Sequence, residues 1–423
     1  MARVFRARDR ESGQAVAMKA FKTFSSAQQP AGPKPNGAAA AQAEENELGG
    51  VPLEVLRECA LLHQLRHPNI VRAHEVLTAP ASVDALAAAP LFLAMELVDF
   101  DLGLLIEHMA TPFAEGQVKC LCKQLLGALA ALEPLGIAHR DLKQTNLLID
   151  KGGVLRLADF GLARHLPTAG GPLTPDVTSL WYRAPEVLLG AHVSDRAHRD
   201  ANGRTVDASG RVVGVAAGSA AAPTAGYGLA VDVWAFGILA AEWLRKGEPL
   251  LAGQSEPDQL HRIFLLLGTP TADSWPCYFD GSLPRARNIR LPPELTCEAL
   301  DPSSGETVIM PRSQLRKKLP LRGYDPAVPS TAQLPTTGIS AAGFELLSAC
   351  LELDPRRRPR ASEALRHRWF AEMPLGEPLT RFELRALSRA RTAAISSGAH
   401  AFSIAQQNAQ MAAAVPHAAV QGY

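Results

Sequence analysis

Apolar positions recur along this chain at two periods, one of strands and one of helices. VAMKAF (Val16–Phe21) alternates and predicts a strand. From Pro52 to Leu65 the residues Leu56, Cys59, Ala60, Leu62 and Leu65 return at helical spacing, and Pro52 suits a first turn, where its missing N–H costs nothing. LFLAMELV (Leu91–Val98) is nearly continuous and predicts a buried strand. Between Glu115 and Leu135 the stripe Val118, Leu121, Cys122, Leu125, Leu126, Leu129 and Leu132 predicts a helix. LLID, KGG and VLRLAD read as a hairpin of two short strands. Beyond Tyr227 the helical period dominates, in VDVWAFGILAAEWL, DQLHRIFLLLG and AGFELLSACLELD. Strands mixed with one helix, then helices alone, predict an α+β chain with a small sheet-bearing lobe ahead of a larger helical one.

Composition interrupts this pattern at about 25–50, at 80–90 and at about 191–228, where Ala, Gly, Pro and polar residues prevail. Such segments bury too little apolar surface to offset their ordering entropy, so they read as spacers. The expected division is a first lobe over 1–98, a helical lobe over 99–375 and a mostly flexible tail over 376–423. Hydrophobic residues make up 47% of the chain, enough for a sizeable core. With 43 basic against 42 acidic residues the net charge is +1, which argues against direct nucleic-acid binding through clustered positive charge. Six cysteines in 423 residues make no disulfide framework and fit a reducing, intracellular compartment, nucleus or cytoplasm. The charged start lacks an apolar signal core, and no apolar run reaches the roughly eighteen residues of a membrane span.

Four constellations carry chemistry: Val16-Ala17-Met18-Lys19 on a strand, Glu58 on the next helix, HRDLKQTN from His139 to Asn146, and Asp159-Phe160-Gly161 with Ala184-Pro185-Glu186 downstream. Each alone is a weak signal, but together and in this order they form the signature set of a eukaryotic protein kinase. Phosphoryl transfer needs a triphosphate held in line with its charge neutralised. In that register Lys19 would meet the α- and β-phosphates with Glu58 holding its ammonium, and Asp159 and Asn146 would hold Mg²⁺. Asp141 would take or orient the substrate hydroxyl proton, and Lys143 would neutralise the γ-phosphate. Val4, Ala17 and Leu148 would sandwich the base of ATP, Met95 would line the back, and Glu96 to Val98 would form the hinge, with Asp101 just beyond it. Cys120 and Cys122 point to different sides of one helix and lack ligand partners, so no metal site is expected there.

VPLEVLRECALLHQLRHPNIV, HRDLKQTNLLI, DFGLAR, LWYRAPEVLLG, GQSEPDQLHRIFLLLGTP and LDPRRRPRASEALRHRWF together resemble the cyclin-dependent kinases over about residues 1–375. LTP ahead of WYRAPE and the terminal WFAEMPLGEP are similar to the PITSLRE-type branch. The resemblance implies a bilobal kinase fold, an antiparallel N-lobe with one regulatory helix, and a Ser/Thr kinase using ATP and Mg²⁺ on protein substrates, at Ser/Thr-Pro sites. It implies a cyclin-like subunit on the 52–58 helix, whose Pro52, Arg57 and Glu58 match the family heptapeptide while Leu53, Glu54 and Val55 depart. It implies an activating phosphate on Thr174, seven residues before Trp181, bound by Arg57, Arg140 and Arg164. Val177, Thr178 and Arg183 resemble the pocket for the proline after the target residue, and Ser179 would bridge Asp141 and Lys143. Glu186 with Arg358, and Asp232 behind the catalytic loop, resemble structural supports. Two alternatives stand beside this reading: a pseudokinase-like scaffold that binds a cyclin-type partner, and a mitogen-activated-type kinase. The absence of a Thr-x-Tyr pair before WYRAPE counts against the second.

The sequence departs from the family at its start, where Val4 fits the end of a glycine-rich loop but the first strand and the glycines have no counterpart. The expectation is a truncated start and weak ATP binding by the chain as written. Gln144 stands where the family has proline, with a modest effect expected on loop rigidity.

Overall fold

In the computed structural model, described over residues 3–21, 47–48, 51–78, 91–107, 109, 112–166, 179–190, 198–199, 205–206, 228–289, 296–300, 307–311, 313–319 and 338–379, the alternating segment VAMKAF lies in a four-stranded antiparallel sheet. Its strands are β1 (Arg3–Arg8), β2 (Ala15–Phe21), β3 (Ala73–Thr78) and β4 (Leu91–Glu96), in spatial order β1-β2-β4-β3. Two of them carry little hydrophobic signal: β1 is exposed along nearly all its length, and only Ala73 of β3 is buried. The register sets Ala17 opposite Met95 and Val4 opposite Lys19. Helix α1 (Leu53–Gln64) buries Glu58, Leu61 and Leu62, and Leu65 just past its end continues the same face. It starts one residue after Pro52, which instead closes the short strand Val51–Pro52. Proline's fixed φ suits extended backbone as well as a first turn.

The larger part begins with β5 (Phe100–Asp101), α2 (Leu102–Glu107) and α3 (Glu115–Leu132). The α3 stripe runs on into a tighter turn, Glu133–Leu135, because Pro134 cannot donate to the helical ladder and Gly136 then turns the chain at φ 61°. Four short strands follow: β6 (Ile137–Ala138), β7 (Leu147–Ile149), β8 (Leu155–Leu157) and β9 (Arg164–His165). The β7–β8 hairpin extends to β5, and β9 pairs with β6. Next come α4 (Pro185–Leu188), α5 (Ala230–Leu244), α6 (Glu256–Leu267) and α7 (Ala341–Cys350).

Helix α5 is apolar on every side because it is buried on every side, from Val231 to Trp243. It packs against α3 and α7, with Trp234, Phe236 and Trp243 fully enclosed. Burying the Phe236 side chain alone contributes about 1.5–3 kcal/mol. Arg358 ties α4 to this core by two bonds of 2.7 Å to the Glu186 carboxylate, both side chains being buried. The segment after Trp369 lies along α3. Lys119 donates to the carbonyls of Glu372 and Pro374 at 2.8 Å, Glu377 N–H donates to Gly116, and Leu379 is buried. The spacers read from composition and the chain beyond Leu379 lie almost wholly outside the described residues. Among the described residues no helix is long and apolar enough to cross a membrane.

Candidate active site

Three distant stretches of chain meet at Lys19. Its ammonium donates to Glu58 Oε1 at 2.6 Å and to Asp159 Oδ1 at 2.9 Å. β2 presents Lys19 and the buried face of α1 presents Glu58. Asp159 arrives from the turn after β8, at φ 61°. A non-glycine residue there is uncommon and concentrates at functional sites. Buried Phe160 holds that turn, edge-on to the His139 ring at 4.8 Å between centroids. Burial works against the Lys19 charge, but Glu58 and Asp159 outweigh it and hold its pKa above the usual lysine value. Burial would raise Asp159, yet Lys19 beside it keeps that carboxylate below its ordinary value, with smaller help from His139 and Lys143. Burial leaves Glu58 above its ordinary value, against the pull of Lys19.

The HRDLKQTN loop is held from beneath by α5. Buried Asp232 accepts the backbone N–H of His139 at 2.7 Å and of Arg140 at 2.8 Å. Burial raises its pKa, with His139 and these N–H groups pulling back. Asp141 is then fixed on both oxygens. Oδ2 accepts from Lys143 Nζ at 2.7 Å and Asn146 Nδ2 at 3.0 Å, and Oδ1 accepts from Ser179 Oγ at 3.2 Å. Of the bridge read from the sequence, Ser179 thus makes the Asp141 half. The same Asn146 amide donates to the Asp141 carbonyl at 2.8 Å, which leaves the Asn146 side-chain oxygen as an acceptor. Ala158 N–H donates to Asn146 O at 2.9 Å and places Asn146 beside the Asp159 turn.

The donor set fits a magnesium nucleotide. Magnesium takes one or two carboxylates with phosphate oxygens, and here stand a half-exposed Asp159 carboxylate and the Asn146 carbonyl oxygen next to a lysine. Gly161 lies against the pair, where a Cβ would make ordinary contact, 3.4 Å, with Asp159 Oδ1 and Glu58 Oε2. Among the described residues no group of three or more His, Cys, Asp or Glu side chains could hold a metal by itself.

Among the residues read as a base pocket, register sets two pairs opposite each other, one in each of two sheets. Ala17 faces Met95 across β2 and β4, and Leu148 faces Asp101 across β7 and β5. Asp101 Oδ1 also accepts Leu104 N–H at 3.1 Å, at the start of α2. The Glu96 carboxylate is engaged by Arg72 N–H at 2.8 Å and Arg156 Nε at 3.0 Å. Val98 is half-buried, and Val4 is 61% exposed on the edge strand.

Of the residues read as a phosphate switch, half-buried Arg57 precedes Glu58 on α1. Arg140, at φ 65°, donates to the Leu162 carbonyl through Nε at 2.8 Å and Nη2 at 2.6 Å. Arg164 pairs with Ala138, two residues before Arg140, and its buried Nε has no hydrogen-bond partner among the described residues. Thr174, Val177 and Thr178 lie outside the described residues. Arg183 is buried and donates to Glu256, which also accepts from Arg285 at 2.8 Å.

One group escaped the sequence reading. Glu242, fully buried in α5, accepts from Gln144 Nε2 at 2.9 Å, Tyr182 Oη at 3.0 Å and Leu250 N–H at 3.1 Å. Burial pushes its pKa up to about 7, against these hydrogen bonds. The signal was a carboxylate inside the apolar run WAFGILAAEWL, which needs partners if it is buried.

A family model described as protein kinase domain matches residues 1–200. Cyclin-dependent kinase G-2 of Oryza sativa subsp. indica is 34% identical over 372 residues, covering 88% of this chain and 40% of that protein, so the chain spans well under half of this relative. Cyclin-dependent kinase 11 of Dictyostelium discoideum is 32% identical over 371 residues, covering 88% of this chain and 77% of that protein. Cyclin-dependent kinase 10 of Rattus norvegicus is 32% identical over 372 residues, with the same 77% of its length covered. Among solved structures, the yeast RNA Pol II CTD kinase CTDK-1 complex aligns with a TM-score of 0.60 at 27% identity, over 89% of this chain and 92% of that one.

Proposed function

Because this chain belongs to the protein kinases, in the cyclin-dependent kinase family, we propose that it transfers the γ-phosphate of ATP to Ser or Thr hydroxyls of protein substrates, at Ser/Thr-Pro sites. The observation that carries this reading is Lys19 held between Glu58 at 2.6 Å and Asp159 at 2.9 Å, with Asp141 locked by Lys143 and Asn146 in the adjoining loop. The substrate hydroxyl oxygen forms the new bond to phosphorus, and the bond to the β-phosphate bridging oxygen breaks. Asp141 orients that hydroxyl and receives its proton. Lys143 neutralises the transferred group, and Lys19, braced by Glu58, holds the α- and β-phosphates. Asp159 and Asn146 would hold Mg²⁺, which when bound spreads the charge of the phosphate oxygens. Ala17, Met95, Leu148 and the 96–98 backbone receive the base, with Val4 above it and Asp101 at the pocket mouth.

Partner and switch belong to the same proposal. A cyclin-type subunit docks on the 52–58 segment and keeps Glu58 against Lys19, a reading that the names of the relatives support. A phosphate on Thr174 is drawn to Arg57, Arg140 and Arg164. Arg183, with Val177 and Thr178, selects proline after the target residue. An intracellular setting, nucleus or cytoplasm, goes with this chemistry.

Radiolabelled phosphate transfer to a Ser-Pro peptide, with Mg-ATP and a cyclin-type subunit, tests the proposal. Asp141→Asn is expected to lower the rate by about 10²–10⁴. A folded parent that transfers nothing with its partner bound would make the chain a scaffold, and an Asp141→Asn variant as fast as the parent would remove Asp141 from the mechanism.

A further inference from the structure

The two sides of the Asp141 carboxylate are held by segments that share one buried support. Oδ2 is gripped by Lys143 and Asn146, and Gln144 lies between them. Oδ1 is gripped by Ser179, three residues before Tyr182. Gln144 and Tyr182 both donate to the same oxygen, Oε2 of Glu242, at 2.9 and 3.0 Å. The other oxygen accepts Leu250 N–H, so the carboxylate cannot turn without losing a bond. Asp232, ten residues earlier on α5, holds the start of the loop. At 1.5 Å per residue the two carboxylates sit about 15 Å apart along one helix. A fully buried helix is a rigid rail for such a pair.

We propose that Gln144 is a positioning residue of this chain, tethering the far end of the catalytic loop to Glu242 and through it to the Ser179–Tyr182 segment, so that Asp141 is aligned from both sides at once. The proposal rests on the kinase reading and goes beyond it. Proline, which the family carries at this position, has no side-chain donor and could not make the link. The charged and titratable groups around Glu242 are Tyr182 on the facing turn and Arg245 at its own helix end, with Asp141 beyond Tyr182. A bond from Gln144 to the ionised carboxylate is stronger than one to the neutral acid, so the tether tightens as Glu242 ionises.

The test uses Gln144→Met, which keeps the length and removes the donor, in the full chain with its cyclin-type partner. If Gln144 aligns Asp141, kcat falls about ten- to a hundredfold while KM for ATP stays within about twofold. Thermal unfolding gives a readout that needs no activity. The loss of Tm on Gln144→Met is expected to be larger near about pH 8 than near about pH 5.5, and to lose that dependence in a Glu242→Gln background. A kcat within about twofold of the parent, or equal Tm losses at both pH values, would overturn the tether. Should the parent transfer no phosphate, the kinase reading fails, and the unfolding comparison still decides whether the tether exists. If Gln144→Met does not fold, Gln144→Asn, which keeps the amide but shortens its reach, is read in the same way.

Discussion

Lys19 meets two carboxylates from opposite parts of the chain, and its charge offsets the repulsion between buried Glu58 and half-exposed Asp159. Removing one group that stabilises charge in a transition state typically costs about 10²–10³ in kcat, and Lys19→Met is expected to show that loss in steady-state phosphate transfer. An unchanged rate would take Lys19 out of the site. Glu242 predicts a pH effect on stability. Its folded pKa is raised from 4.5 to about 7, so the folded chain binds the extra proton in that window. Its contribution to stability is therefore full below pH 4.5 and is lost as the pH rises towards about 7. Glu242→Gln is expected to flatten the fall in Tm across that window, and an unaltered slope would show that Glu242 titrates normally.

Among the elements, α5 does most to place the site. It was legible as a helix because its apolar run is long, but its partners were not, since an all-round apolar helix gives no face. Two carboxylates interrupt the run, and both turn out to hold the catalytic loop. The Glu186–Arg358 pair does a comparable task for α4. Cutting one partner of a buried pair leaves a stranded charge, so Glu186→Ala is expected to cost about 3–5 kcal/mol in denaturant unfolding. A loss below about 1 kcal/mol would mean that the pair is solvated and weak. The edge strand β1 illustrates the opposite case. It is exposed at nearly every position, so no alternation marks it, and backbone pairing with β2 alone makes it a strand.

At the scale of the whole molecule, α1 presents Leu56, Ala60 and His63 on one side while Glu58, Leu62 and Leu65 face inward, and Ala60 and His63 are exposed. A bulky charge at Ala60 should leave the fold intact and obstruct a docked subunit. Ala60→Arg is expected to lose activation by a cyclin-type partner while keeping the parent Tm, and activation equal to the parent would move the docking surface elsewhere. The sequence by itself determined the chemical inventory and its order. Lys19, Glu58, Asp141, Asn146 and Asp159 are short-range signals, each fixed by residue type and local spacing. It also determined the periods of β2, α1 and α3, because burial on one side repeats with the element's own geometry, and it marked β4 and α5 by apolar runs of strand and helix length. Only the tertiary structure decided that Asp159, 140 residues away, joins Glu58 on the Lys19 ammonium, and that Gln144 and Tyr182 share one oxygen of Glu242. Those contacts follow from how the helices and the sheet pack, and no local period records which buried acceptor a distant donor will find.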